Sequence, residues 1–572
     1  LVAPPPLLHI GLPGRGLPLP SLPRAVSLAN SSKKIIFVEN CQVMKKSISE
    51  NYDYVIVGSG FGGSVSALRL SEKGYKVLVI EKGKWWKPSD FPKTNWNLRK
   101  WLWIPSLRFF GFFKMTFLKH VGILSGVGVG GGSLVYANTL PRPKDAFFKS
   151  GSWKGIADWK SELEPFYREA EKMLGATTNP KLFDADNALK EVATQMGHQK
   201  EFEPTDVAVF FGEPEITVPD PFFNGKGPER SGCTHCGACM TGCRYNAKNT
   251  LDKNYLYLAM NLGAEVVAEH IVTDVRPDGA GNGSDGYVVS FKKMTGLFSK
   301  SKTVKAKGVV MAGGVLGTIR LLLDMKTKGL PNLSHKTGDD IRTNNESLIL
   351  VHSRQKEKKF SEGVAIGSIF PPDEDSHVEP VRYGSGSGFF KLMGVPMILG
   401  KNGFTRTIKL LGHFIAHPAS SFRIYFSKNF AEESVILLFM QHLNSTLQFK
   451  KGLFNLGSRV STGKAPSSFI PRAKELAVRT SQVINGKPYV MTTEVLFGIP
   501  TTAHILGGAV IGESSKTGVI DKNHRVFGYE NMYVCDGSAI SANPGVNPSL
   551  TITAMSERAM SLIPEKREQQ KK

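Results

Sequence analysis

Gly58, Gly60 and Gly63 fall in the run Gly58-Ser-Gly60-Phe-Gly-Gly63, and an acid, Glu81, follows 18 residues after the last of them. Apolar runs at 54–57 and 76–80 flank them, so a strand, a tight turn, a helix and a second strand fit into about 30 residues. Gly58 permits the turn, Gly60 lets main chain approach a pyrophosphate, and Gly63 lets helix and strand pack closely. The free N–H groups at the helix start turn its positive end toward phosphates. Glu81 suits a ribose hydroxyl and disfavours a 2′-phosphate, which argues against NADP. The pattern points to a dinucleotide; a glycine-rich turn in an ordinary α/β domain is the plainer alternative.

A second run, Gly126-Val-Gly128-Val-Gly130-Gly131-Gly132-Ser133, holds five glycines in seven residues. It lets main chain lie flat against a planar ligand or phosphate and suggests a second contact with the same molecule. Cys233, Cys236, Cys239 and Cys243 have the spacing of bacterial ferredoxins. Arg244 stands where those proteins have proline, no second run supplies a partner cluster, and a lone cluster would draw its fourth ligand from Cys41 or Cys535. An iron-sulfur cluster and a zinc site therefore rank below a thiol-rich loop that packs. His504 precedes Ile-Leu-Gly507-Gly508, and Asn547 lies in Asn543-Pro-Gly-Val-Asn547-Pro548, ahead of a helix running toward residue 563. Read alone, a histidine in such an apolar stretch is more often a core residue than a catalytic one. Glu379, beside Pro380 and close to Arg382, reads locally as surface.

Several elements must position these groups. Residues 249–275 read as a helix and then a strand. Residues 304–311 read as a buried strand closed by Ala312-Gly313-Gly314 and a helix through Leu323, and 531–536 as a strand ending in Asp536. Strand, glycine turn and helix thus recur and extend one sheet. Residues 341–499 change to strand-like runs such as 434–441, the texture of an antiparallel sheet covering a site. A chain of 572 residues, 41% hydrophobic and 21% charged, supports two or more domains. Its net charge of +23 comes with no nucleic-acid motif, leaving a solvated basic surface and attraction to anionic membrane as equal readings. Trp and Phe interleaved with Lys and Arg at 84–120 suit a membrane interface, though such clusters more often line a core. Six cysteines, four of them within 11 residues, suggest a reducing, cytoplasmic compartment, and no run of 18 apolar residues appears. Residues 1–43, with seven prolines, read as a disordered tail or an upstream extension ahead of Met44.

Taken in order, VIVGSGFGGS, GVGVGGGSLVYAN, TAHILGGAVIG and YVCDGSAISANPGVNPSLTITAMSER resemble the glucose-methanol-choline flavin oxidoreductases, in their cholesterol-oxidase branch, from about residue 52 to 564. The resemblance implies an α/β fold, α+β overall: a Rossmann-like FAD-binding domain from 50–145, 230–340 and 500–565, and a substrate-binding domain on an antiparallel sheet from 146–229 and 341–499. The cofactor it implies is FAD. Gly58, Gly60, Gly63 and Glu81 would hold its ADP half; Gly130, Gly131, Gly132 and Ser133, with Asn138 beyond them, its pyrophosphate and flavin. Main chain at Val272 would meet the adenine, Asp536 and Gly537 the ribityl side, and the helix beginning at Pro548 the flavin pyrimidine.

His504 and Asn547 would be the catalytic pair beside flavin N5, and Glu379, with Glu346 as rival, the carboxylate that shuttles a proton when a double bond moves. The implied reaction is oxidation of a secondary alcohol, a 3β-hydroxysterol such as cholesterol, with oxygen as acceptor. A dehydrogenase passing electrons to a quinone or protein and a non-catalytic lipid-binding flavoprotein are the alternatives. Two departures bear on substrate and oxygen reactivity. Tyr136-Ala137-Asn138 replaces the Asn-Gly-Gly of the secreted enzymes, and Ile505-Leu506 follows the histidine where they have Pro-Leu. No histidine occupies the VYAN loop, so the flavin is expected to be non-covalent. Peripheral membrane contact fits the aromatic and basic stretches 84–120 and 389–425.

Overall fold

The structure, a computed structural model, describes residues 48–296, 299–400, 402–452, 456–461 and 465–566. The expectations for 1–43, Met44 and Cys41 lie outside the described residues. Every element below belongs to one unit, Ser49–Lys572.

Strand β1 (Asn51–Val57) leads through the glycine turn into helix α1 (Phe61–Glu72) and returns as β2 (Val77–Ile80), parallel to β1. Nearly all of α1 is buried, which its small residues permit: a Cβ on Gly62 would lie 1.6 Å from the Cys535 carbonyl oxygen, and one on Gly63 2.1 Å from that of Gly58. Gly58 itself sits at φ +102°, a left-handed conformation that other residues rarely adopt.

Strands β3 (Glu265–Val267), β4 (His270–Pro277), β5 (Tyr287–Lys293) and β6 (Ser301–Met311) complete the order β3-β2-β1-β6-β5-β4. The eleven-residue β6 has two roles. Its first half pairs antiparallel with β5, and Val309 to Met311 pair parallel with the short strand Met532–Val534. Helix α2 (Gly314–Met325) follows it, so strand, glycine turn and helix do recur as the sequence implies.

The second sheet is antiparallel throughout: β7 (Ser347–Ser353), β8 (Ser376–Val381), β9 (Gly394–Pro396), β10 (Ser434–Gln441) and β11 (Gly486–Met491), in the order β8-β10-β7-β11-β9. Successive side chains on a strand point to opposite faces. Ile349, Val351, Leu437 and Phe439 pack in a core with Leu189, Val192 and Leu476 of helices Asp184–Gln195 and Pro471–Val483. Their sequence neighbours Leu348, Leu350, Ile436 and Leu438 face the other way, into a cavity. The fully buried pair Arg382–Asp186, 2.6 Å apart, ties β8's end to the first of those helices.

The packing decides between the two readings of 84–120 and adds to that of 341–499. The aromatic stretch is largely core: Trp86, Phe91, Trp101, Phe112 and Phe113 form one buried cluster, while Trp96 and Phe117 are exposed. The region read as strands and loops also carries helices α3 (Gly403–Ala416) and α4 (Pro418–Phe426). Leu410 and Phe414 of α3 and Ile424 of α4 pack inward, while a second apolar stripe at helical spacing faces outward.

Candidate functional site

A cavity of about 320 Å³ runs between the two sheets. Its wall includes Gly60, Phe61 and Gly62 from the first turn, Gly126 and Gly132 from the second glycine run, and Gly313 and Gly314 before α2, and also His504 and Asn547. A Cβ on Gly60 or Gly314 would meet nothing within 4 Å, so these glycines border open space, whereas Gly58 and Gly63 are fixed by packing behind them. No side chain caps α1 at Gly60, and none caps α5 (Ser549–Ser561) at Pro548; Phe61, Pro548 and Ser549 line the cavity. Two helix starts thus offer uncapped N–H groups to it, which suits phosphate at one and a carbonyl gaining negative charge at the other.

The other expected cofactor residues are placed unevenly. Asp536 and Gly537 line the cavity; Asp536 accepts from the Thr318 hydroxyl (2.5 Å) and the Ser538 N–H (2.8 Å), and burial raises its pKa against those bonds. Glu81 is buried behind the turn, accepting from Ser59 N–H (3.1 Å), Ser59 Oγ (2.9 Å) and Gly83 N–H (2.9 Å). A carboxylate has about four acceptor sites, so one remains beyond its work of fixing the turn. Gly130 and Gly131 hold left-handed conformations next to Gly132, and the Ser133 hydroxyl donates to Gly130 O (2.7 Å), bracing the loop instead of facing the cavity. Asn138, at φ +73°, is buried with neither amide atom hydrogen-bonded, between Ala137 and Thr139 of the cavity wall. Val272 pairs with Phe291 in the first sheet and does not line this cavity.

Lys82 and Lys114 also line it, and the sequence reading missed both. Burial, then Lys82 and Arg320, bring the Lys114 ammonium down to about 7. Cations gathered in one wall suit a ligand that carries phosphates. Lys82 directly follows Glu81, which was the available signal; Lys114 had none. Uncapped helix starts, glycines bordering open space, two lysines and an unpartnered Asn138 amide together fit a flavin adenine dinucleotide.

Around His504 and Asn547, chain segments distant in sequence converge. His504 Nδ1 lies 2.6 Å from Glu346 Oε1, a close ion pair off the hydrogen-bond line. Glu346 is anchored by the Thr502 hydroxyl (3.0 Å) and the Ala503 N–H (2.8 Å). Asn547 Nδ2 donates to Glu379 Oε2 (3.2 Å), whose other oxygen lies 2.8 Å from His377 Nε2. Both carboxylates are buried and stand behind the two side chains that meet the cavity. Burial works to lower the His504 pKa, yet the charges of Glu346 and then Glu379 outweigh it and raise it. With Nδ1 turned to Glu346, Nε2 is the nitrogen left for a ligand. Asn547 Oδ1 has no partner.

Glu379, read locally as surface, is thus fully buried, and Glu346 serves His504. The β8–β10 pairing that buries Glu379 joins residues far apart in sequence, so no local signal marked it.

The cysteine loop packs one wall away. Cys233, Cys236, Cys239 and Cys243 are free thiols around a separate space of about 20 Å³. Among the described residues no group of three or more His, Cys, Asp and Glu is placed to hold a metal ion. Lys248 donates to the carbonyls of Leu134 (3.1 Å), Tyr136 (2.9 Å) and Cys239 (2.9 Å), which staples this loop to the chain leaving the second glycine run.

Comparison with known proteins agrees with this geometry. Residues 228–331 and 472–556 match the family described as GMC oxidoreductase, and 56–84 match an NAD(P)-binding Rossmann-like domain. A cholesterol oxidase of Acinetobacter baumannii is 47% identical over 527 residues, covering 90% of this chain and 95% of that one. One of Mycobacterium tuberculosis is 45% identical over 537 residues, covering 91% and 92%. Among solved structures, pyridoxine 4-oxidase from Mesorbium loti superposes with a TM-score of 0.56 at 16% identity over 89% of this chain and 98% of that one.

Proposed function

The chain belongs to the GMC oxidoreductases, in the branch of its cholesterol oxidase relatives, as an FAD-dependent alcohol oxidoreductase; from that premise we propose that it oxidises the hydroxyl of a 3β-hydroxysterol, with oxygen as final acceptor. The observation that carries the sterol reading is the lining of the cavity: Leu348, Leu350, Ile436, Leu438 and Phe390 make an apolar wall, and the polar pair His504 and Asn547 lines the same space. A rigid hydrocarbon with a single hydroxyl matches such a wall.

In this reading His504 Nε2 accepts the hydroxyl proton, because Glu346 holds the ring by Nδ1 and stabilises the cation that forms. Asn547 orients the oxygen, itself held by Glu379. Bound FAD supplies the acceptor for the hydride. Glu379, bonded to Asn547 and His377 as Glu346 is to His504, Thr502 and Ala503, is the carboxylate this reading assigns to double-bond migration. Peripheral contact with a membrane belongs to the same reading, because membranes are where sterols reside.

The test is product analysis in air with a panel of sterols and long-chain, aryl and short diols. A sterol ketone with matching peroxide supports the proposal. Turnover of sterol only with an artificial electron acceptor favours the dehydrogenase reading, and turnover confined to non-sterols refutes the substrate class. Glu379→Gln should oxidise more slowly, because Asn547 loses the charge that holds it, and should release ketone whose double bond has not moved.

A further inference from the structure

Helices α3 and α4 carry an apolar stripe on their outer side in addition to the Leu410 and Ile424 they bury. Phe404, Ile408, Leu411 and Ile415 recur at spacings of four, three and four, which is one helical face, and that face is turned to solvent: Phe404 is 73% and Ile415 82% exposed. Phe422 and Phe426 continue it on α4, Phe426 at 81%. The inward face of α3 is instead Arg406 and Leu410, with Arg406 Nε donating to Val495 O (2.7 Å). Exposed apolar groups gathered this way mark a surface made for a partner.

Charge says which partner. From Pro380 to Ala431 the chain has no Asp or Glu, and of its described basic residues Lys409, Arg423 and Lys428 are exposed and Lys391 is partly so. A second copy would set this acid-free surface against itself, since a two-fold contact pairs a patch with its own counterpart. Side chains projecting from a helix, with Lys409, Arg423 and Lys428 exposed beside them, are the arrangement of a helix lying in the plane of a lipid interface. No described helix is long and apolar enough to cross a membrane, so the helices lie on it.

We propose that α3 and α4 dock the protein on an anionic lipid bilayer by inserting this apolar stripe among the acyl chains. The docked element adjoins the cavity. Tyr425 of α4 donates to the Gly394 carbonyl (2.6 Å), Lys391 donates to Ser427 O (2.7 Å), and Phe390 and Gly394 line the cavity. A lipid-borne alcohol would thus meet the cavity where the protein meets the bilayer. This last step rests on the sterol reading; the docking itself does not.

Co-sedimentation of the full-length holoenzyme with sterol-free vesicles therefore separates the two. Vesicles of phosphatidylcholine and phosphatidylserine should bind it, vesicles of phosphatidylcholine alone at least tenfold more weakly, and added salt should weaken the first. Phe404→Ser with Ile415→Ser, and separately Lys409→Glu with Arg423→Glu, should each cut binding tenfold or more while flavin content and turnover of a detergent-dispersed alcohol stay unchanged. Ile415→Trp should shift its emission to the blue on vesicles and be quenched by brominated acyl chains. Equal binding to both vesicle types, full binding by the serine variant, or a dimer in solution that this variant dissociates would overturn the proposal.

Discussion

The glycine side of the cavity is walled mainly by main chain, with glycines and the uncapped start of α1 bordering the space, whereas the alcohol side is walled by side chains whose charges and amides hold one another. On the glycine side a methyl group added at Gly62 or Gly63 collides with backbone, because each Cβ falls on a carbonyl oxygen. On the alcohol side a lost charge is what matters, because His504 and Asn547 are each held by a carboxylate behind them. Position is thus secured by steric necessity in one region and by electrostatics in the other, and the two should fail differently.

The largest effect is expected from Gly62→Ala. Its Cβ has no room against Cys535, so the strand-to-helix join must move, at a cost of about 3 kcal/mol or more. The purified protein should be insoluble or free of flavin absorbance; a normal flavin-to-protein ratio would show that the first region yields more than described. His504→Ala comes next. It should keep its flavin and its melting temperature while kcat/KM falls about 10² to 10⁴-fold, the usual worth of a proton acceptor.

Glu346→Gln should cost about 10 to 100-fold, a charged hydrogen-bonding partner being worth roughly 1.5–3 kcal/mol. Its signature lies in pH. The two carboxylates raise the His504 pKa against the effect of burial, and a histidine acts as base only when neutral, so kcat/KM rises as pH passes that raised value. Removing Glu346 should move the rising limb to lower pH, and an unmoved limb would break the assignment. The same raised value contributes stability below the unfolded histidine pKa of about 6.5, and that contribution is lost as pH rises through the folded one.

The smallest effect is a gain. Glu494 is buried on the helix Thr492–Phe497, and burial holds its pKa well above the carboxylate range, with only Thr501 main chain opposing. An acid with a raised folded pKa makes the protein most stable below about pH 4, and stability falls as pH climbs toward the folded value. Glu494→Gln should remove that fall and raise stability at neutral pH by about 1 kcal/mol or more, read as denaturation midpoints against pH.

What the sequence disclosed follows the same division. The strand, glycine turn and helix around Gly58 to Glu81 are local in the chain, so spacing alone placed them; the apolar run 434–441 was likewise legible as a strand. The alcohol side was not legible from spacing, since 158 residues separate His504 from Glu346 and 168 separate Asn547 from Glu379, and only the folded sheet brings each pair together. Glu379 beside Pro380 looks like surface until β10 covers it. Helices α3 and α4 were not separated from the aromatic and basic stretch 389–425, although Phe404, Ile408, Leu411 and Ile415 keep helical spacing, because the apolar runs around them have the texture of strands; Lys114 was missed because nothing in its neighbourhood announces that its strand borders a cavity.

The central claim is that His504 and Asn547 work on an alcohol next to a flavin held by the glycine turn. The most direct measurement is rapid anaerobic mixing of the FAD-loaded protein with a 3β-hydroxysterol, following oxidised-flavin absorbance in the native chain and in His504→Ala. The account expects prompt bleaching in the first and bleaching slowed by about 10² to 10⁴-fold in the second at equal flavin content. Equal rates in the two proteins, or no bleaching by any sterol in the native one, would contradict it.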